Sequence, residues 1–415
     1  MSVISSDLQE KVNNSLKMSP IMASQITGRA QFTSPLGSQI FSPDGSSTVE
    51  GVIQPSGFVD MSSFRFEGDL DHSDGIYLSK SIQSTVQRLQ VYSPITGEHI
   101  IDIENFNVLQ AALSDVTFTP FQMEEGSLSS TQLYGSTETR KKFSKGVSFS
   151  MQLNHDLFRM SSYLPSFLCG GLKIKITLAP TATAFIKSDP AVTTTTYSLS
   201  NLVCCYDVVS VTPAVQSQYI AGYNNNSLQV RIPTWRVSSF TSDAQIESVR
   251  VTNLGNSNRA LLMVPRMVST VNNPSADSLG RRTANTLKQL SVKIGDAVAR
   301  THNTTKGAAS LVALLQQAID NTSSDTSINA KNYHCALPYP PGSIEDLDRS
   351  SKFMLLQSLE LDNTDNSVLS GISRQDITVN LEYKDPLPGQ VLYTSYVLID
   401  QIITMGKDVL FKVLA

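Results

Sequence analysis

The sequence predicts an all-β chain built as two copies of one unit, and three observations carry that reading. Apolar and polar residues alternate over short runs through most of the chain from Gly57 onward, the signature of strands with one buried face. Clusters of turn formers, among them DPLPGQ, NLGNSN and NTDNS, separate several of these runs. Elements of like character also recur in the same order at a spacing of roughly 200 residues.

Taken in order, residues 1–48 read as an arm, with Ser, Gln, Pro and Gly scattered and no sustained period. One piece stands out: in SSDLQEKVNNSLKM, Ser6 and Gln9 have capping-box spacing, and Leu8, Val12 and Leu16 recur every four residues on one face of a short helix. A helix this short is marginal alone and needs something to dock on. The strands then begin. Phe64 and Phe66, then Val86, Leu89 and Val91, then Val147, Phe149 and Met151, then Leu172, Ile174, Ile176 and Leu178 each mark a half-buried run. The second half repeats the style in LQVRIPTWRV, VRVTN, ALLMVP, LKQLSVKIG, FMLLQSLEL, DITVNLEY and VLYTSYVLI.

Two helices are predicted, ENFNVLQAALSD (Glu104 to Asp115) and GAASLVALLQQAID (Gly307 to Asp320), each a short distance after an alternating strand. Leu89 in RLQVYS matches Leu290 in QLSVKIG, the first helix matches the second, and YSLSNLVCCYDVV from Tyr197 matches YTSYVLIDQII from Tyr393. Three elements in register point to duplication. A unit of about 170 to 190 residues with eight or so strands and one short helix fits a jelly roll. The expected organisation is therefore two tandem eight-stranded jelly rolls, a double jelly roll with a few short helices. An arm spans 1–48, a first barrel 49–213, a linker 214–227, and a second barrel with C-terminal tail 228–415.

Composition narrows the function. The 415 residues suffice for two cores, with 40% apolar residues, yet only 16% are charged, where about a quarter is usual. A surface so poor in charge suits contact with other protein. With 32 Lys and Arg against 36 Asp and Glu, the net charge of −4 argues against coating nucleic acid, so no sequence-specific nucleic-acid partner is expected. No apolar stretch approaches the ~18 residues that span a bilayer, so no transmembrane segment is expected. MSVISSDLQEKV lacks a basic region followed by an apolar run, which predicts synthesis in the cytosol. Cys169, Cys204, Cys205 and Cys335 have no metal or redox spacing and read as buried thiols in a reducing compartment. Sequons at Asn13, Asn225, Asn303 and Asn321 should stay unmodified.

No catalytic, cofactor or metal site emerges. His72, His99, His155, His302 and His334 form no HxH, HxxxH or HExxH pattern, and no nucleophile elbow, P-loop or dinucleotide fingerprint is present. Gly170 and Gly171 precede a strand, so they cannot aim helix amides at a phosphate. Asp69 and Asp71 in GDLDHSDG lack the terminal Glu of a Ca²⁺ loop, and Arg140, Lys141 and Lys142 read as a solvated basic run. The chain is expected not to be an enzyme.

The stretch STVQRLQVYSPITGEHIIDIENFNVLQAALSD, Ser84 to Asp115, resembles the early strand and helix of the first barrel in double jelly-roll major capsid proteins of the polinton-like viruses and virophages. LPSFLCGGLKIKITLAP and YSLSNLVCCYDVVSVTP are similar to the closing strands of that barrel. LKQLSVKIGD, ASLVALLQQA, LSGISRQDITVNLEY and YTSYVLIDQII are similar in order and character to the second barrel. The resemblance runs from about Gly57 to Met405 and implies a structural subunit found in the virion. Three chains would form a pseudo-hexameric homotrimer, and such capsomers would tile an icosahedral shell around double-stranded DNA beside a minor, penton capsid protein. The chain is short for the virophage members, and the arm matches nothing in them. Within this reading Leu8, Val12 and Leu16 are the candidate assembly interface. The runner-up is a carbohydrate-binding or hydrolysing β-sandwich, which needs exposed aromatics on a concave sheet and, for hydrolysis, a carboxylate pair. The single Trp235 sits in a strand-like run, where a core or interface position is expected.

Overall fold

The computed structural model describes residues 23–31, 39–55, 57–117, 147–160, 162–222, 228–280, 282, 287–303, 353–359, 376–405 and 412–414. The stripe of Leu8, Val12 and Leu16, the basic run Arg140 to Lys142, the helix expected over 307–320, and Cys335 and His334 lie outside these residues.

The first unit carries β1 (Ala23–Gln31), β2 (Ile40–Phe41), β3 (Thr48–Ile53), β4 (Phe58–His72), β5 (Ile76–Leu78), β6 (Val86–Tyr92), β7 (His99–Glu104), β8 (Val147–Met151), β9 (Leu164–Pro165), β10 (Leu172–Leu178), β11 (Phe185–Lys187) and β12 (Tyr197–Val211). One sheet runs β1-β12-β4-β8, with β2 on β12 and β9 on β4, and the facing sheet runs β3-β10-β6-β7. The second unit carries β13 (Leu228–Arg231), β14 (Thr234–Ser242), β15 (Ile246–Val251), β16 (Asn258–Met267), β17 (Leu287–Ile294), β18 (Ala297–Asn303), β19 (Leu355–Ser358), β20 (Ile377–Tyr383), β21 (Val391–Ile399), β22 (Ile402–Met405) and β23 (Lys412–Leu414). Its sheets run β14-β21-β16-β19 and β15-β20-β17-β18, with β13-β22-β23 as a small third sheet.

Replacing β1, β3, β4, β6, β7, β8, β10 and β12 by β14 to β21 in chain order converts the two sheets of the first unit into those of the second. Each unit is thus an eight-stranded jelly roll of two antiparallel sheets. The duplication holds at residue level. Leu89 of β6 faces Ile176 of β10, and Leu290 of β17 faces Leu381 of β20; both leucines are fully buried. The strands β10 and β20 show the same strict alternation of buried and half-buried residues, because one face packs into the barrel and the other does not. In the second barrel the two sheets are joined across the core by the Tyr383 and Tyr393 hydroxyls, 2.7 Å apart.

The boundaries differ from the sequence reading. Part of the expected 1–48 arm is barrel: β1 pairs antiparallel with β12 along its length, from Ala23 opposite Val211 to Gln31 opposite Val203. Its sequence, ASQITGRAQ, carries Ile26 as its one large apolar residue, so it shows no alternation. What recruits it is the unpaired backbone edge of β12. The expected 214–227 linker is, in its described part, the helix Pro213–Gly222. Tyr219 buries its ring edge-on against Phe58 and Phe167, at 5.1 and 5.6 Å, which ties this segment to the first barrel.

Because Leu89 and Leu290 occupy equivalent sealed positions, Leu89→Ala and Leu290→Ala should each cost about 2–5 kcal/mol. Calorimetry should show each variant lowering one shared melting transition. A transition that splits in two would mean the barrels are stabilised separately.

Candidate functional site

The feature in which the most polar chemistry converges is the seam between the barrels. The helix Phe106–Thr117, FNVLQAALSDVT, follows β7 and is buried along nearly its whole length. Its middle is tied to the first barrel: Asn107 Nδ2 donates to the Ser84 carbonyl at 3.4 Å, and Gln110 Nε2 to the Asn154 carbonyl at 3.0 Å. Its two ends reach the second. Asn105, left-handed at φ 51°, presents a carbonyl that accepts from Tyr396 Oη at 2.7 Å. At the far end the fully covered Asp115 accepts from Lys80 of its own barrel and from Arg282 of the other.

Strand alternation decides which face of the second barrel meets the first. Tyr393 points inward to Tyr383, so Thr394 and Tyr396, of opposite parity on β21, point out toward the seam. Further bonds cross it: Ser79 Oγ to the Asp277 carboxylate, Thr183 Oγ1 to Asn272 Oδ1 at 2.7 Å, Lys187 N to the Pro274 carbonyl at 2.7 Å, and Gln401 Nε2 to the His99 carbonyl at 3.4 Å. Nearby, buried Asp400 accepts from Arg231 at 2.6 Å and Ser257 Oγ at 2.6 Å, fixing the corner between β21 and β22. His155 completes the seam. Its Nδ1 accepts from Leu157 N at 3.1 Å, which leaves the Nε2 proton for Thr234 Oγ1 at 3.2 Å. Burial pushes its pKa down to about 3, so the ring is neutral.

This arrangement fastens one barrel to the other. The histidines whose side chains are described are scattered: His72 on β4 bonds the Ser73 carbonyl, His99 begins β7 exposed, and His155 is buried. Among the described residues no group of three His, Cys, Asp or Glu side chains is placed to hold a metal ion. Asp69 is occupied by Ser148 Oγ at 2.6 Å and Asn201 Nδ2 at 2.7 Å, and those two hydrogen bonds lower its pKa. Asp71 accepts from the His72 backbone at 3.0 Å. Gly170 caps the one-turn helix Ser166–Cys169 in a left-handed conformation, and a side chain on Gly171 would strike the Ile53 carbonyl. Trp235 is 9% exposed on β14, opposite Leu398, and offers no open stacking face. Cys169, Cys204 and Cys205 are buried outside any disulfide. No described helix is long and apolar enough to cross a membrane. Asn105, Asp115, Arg282 and Tyr396, which build the seam, escape the sequence reading. Its one visible trace is an acidic residue closing an otherwise apolar helix.

No family model matches the chain, and no curated protein does. Solved structures do. The Faustovirus major capsid protein superposes with a TM-score of 0.62 over 94% of this chain and 92% of its own, at 8% identity. The PBCV-1 virus capsid protein gives 0.58 over 96% and 98%, at 10% identity. The mavirus major capsid protein gives 0.54 over 100% and 95%, at 9% identity. This chain has the double jelly-roll fold. The correspondence spans nearly the full length of both partners in each case, so the double jelly roll accounts for both barrels and their joining, not for one barrel alone.

Two outcomes follow. Burial raises the Cys169 pKa to about 12, and Cys204 and Cys205 are equally covered. A Cys335→Ser variant should therefore give no colour with Ellman's reagent until denatured, and reductant should leave its melting temperature unchanged. His155, protonated near pH 6.5 when unfolded and only near 3 when folded, lends stability that is complete above about 6.5. That stability fades as pH falls, by about 1.4 kcal/mol per unit once below the unfolded value. Denaturant titrations between pH 6.5 and 5 should show this slope, and His155→Asn, which keeps an acceptor for Leu157 N, should flatten it.

Proposed function

We propose that this double jelly-roll protein is the major capsid protein of an icosahedral double-stranded DNA virus, a structural subunit without catalysis. The observation that carries this is the pairing of two equivalent barrels in one chain, superposing over nearly the full length on major capsid proteins of Faustovirus and mavirus and on the PBCV-1 capsid. Two similar barrels per chain let a cyclic trimer present a sixfold outline, the shape that tiles a curved lattice with one kind of subunit. Low charge supports it, since flanks with few ions lose little hydration when covered. In this reading the chain works in the virion, its partners are its own copies and neighbouring capsomers, and a minor capsid protein closes the fivefold positions. The stripe of Leu8, Val12 and Leu16 reaches a neighbouring capsomer or an inner partner and folds as it docks.

Light scattering of the purified protein should give about three times the 45.2 kDa chain mass; a stable monomer at micromolar concentration would overturn the proposal. Truncation separates arm from barrel. Removing residues 1–22 should leave a trimer with near-normal melting that fails to enter shells. Removing 1–48 takes β1 as well, bares the β12 edge, and should lower the melting temperature.

A further inference from the structure

Arginine is almost never sealed inside a protein without a partner for each donor, because water solvates its guanidinium strongly and nothing apolar replaces that. Two arginines in the seam break this rule. Arg266, near the end of β16, is 2% exposed, and Arg282 is 1% exposed. Arg282 spends one nitrogen on Asp115, while its Nε and its other terminal nitrogen have no hydrogen-bond partner among the described residues. Arg266 Nε has none either. A hydroxyl shares the deficit. Arg266 faces Leu392 across the sheet, and Thr394, two residues along β21, lies on the same outward face with its Oγ1 buried and unpartnered. Burial depresses the Arg266 pKa; Tyr396 opposes that shift, and the Arg282 charge adds a smaller depression. Arg266 and Arg282 are thus two buried cations on the seam side of the second barrel.

Charge bookkeeping points the same way. Among the described residues, Lys80, Arg266 and Arg282 bring three cations to the seam side of the barrels, and Asp115 and Asp277 bring two carboxylates. Asp277 already accepts from Ser79 Oγ and from Gly280 N at 2.8 Å. Among the described residues the cations outnumber the carboxylates by one, and the buried Arg266 Nε, Arg282 Nε and Nη1 and Thr394 Oγ1 would suit a ligand with one negative charge and several acceptor atoms. A tetrahedral oxyanion meets that description; planar guanidinium forks match its oxygens, and a hydroxyl completes the set. We propose that the seam encloses a small inorganic oxyanion of the phosphate class, held by Arg266, Arg282 and Thr394, which neutralises the excess cation and locks the second barrel onto the first. Its position between barrels makes it a structural ion, taken up as the barrels close.

Full-length protein purified in phosphate should be desalted into chloride of equal ionic strength and denatured in guanidinium, and the released anions measured by ion chromatography. About one phosphate per chain is expected. Above its dissociation constant, each tenfold rise in phosphate at fixed ionic strength should raise the wild-type folding equilibrium constant about tenfold. Arg266→Met, which keeps the length of the stem and removes the charge, should release no phosphate and lose that dependence while melting no lower than wild type in chloride. Should R266M fail to fold, Thr394→Val, which keeps both cations and the shape of the strand, decides: a weakened phosphate dependence supports the site, and a wild-type dependence overturns it. Absence of released anion together with equal phosphate dependence in wild type and R266M overturns the proposal, as does equal stabilisation of wild type by chloride alone.

Discussion

Asp115 has no contact with water, and a carboxylate in that position is tolerable only where cations replace the hydration it gave up. Lys80 comes from the same barrel and Arg282 from the other, so this buried charge ties one barrel to the other. Removing either partner would leave an ion stranded in a sealed interface, which costs far more than the pair contributes when intact. The rest of the architecture hangs on this requirement. The helix that carries Asp115 in its last turn must lie along the seam, Asn105 at its start must offer its carbonyl to Tyr396, and the outward face of β21 must be turned toward the first barrel.

A double barrel made rigid in this way differs from two barrels on a tether. Inter-domain contacts within one chain are usually modest and permit motion, whereas here the backbone of Lys187, the side chains of Thr183, Ser79 and His155, and an ion pair all cross at separate points. Polar contacts with defined geometry fix angle and register, which apolar packing alone leaves loose. In the capsid reading proposed above that rigidity is functional: an error in the angle between barrels would be repeated at every position of the shell.

The described surface keeps a few large apolar side chains in the open, notably Ile95 at 66%, Ile246 at 72% and Phe240 at 41%. Ile246 and Phe240 flank the turn between β14 and β15, at edges of the two sheets of the second barrel. Sheet edges with apolar neighbours are liabilities in a solitary protein, and they agree with the charge-poor composition in describing a molecule that expects neighbours. At 8–10% identity to the superposing capsid proteins, nine in ten aligned side chains differ. What persists is alternation and connectivity, since any apolar residue of suitable size fills an inward position.

The sequence by itself determined the fold class and the duplication. Leu89 and Leu290, or the alternating runs of β10 and β20, declare a two-sided strand because burial on one face dictates period two, a local property that needs no knowledge of the partner strand. It also announced, through its apolar pattern, a helix over Glu104 to Asp115, which the structure places at Phe106–Thr117. Tertiary structure alone decided that β1, with one large apolar residue, belongs to the first sheet, since its place is seen in its pairing along the hydrogen-bonding edge of β12, which no alternation in its sequence announces. It alone brought Arg282 to Asp115 and Arg266 to the seam, from positions far apart in the chain. An arginine in a sequence reads as surface because water holds it there; only the closing of one barrel on another, which removes that water, turns it into a structural cation.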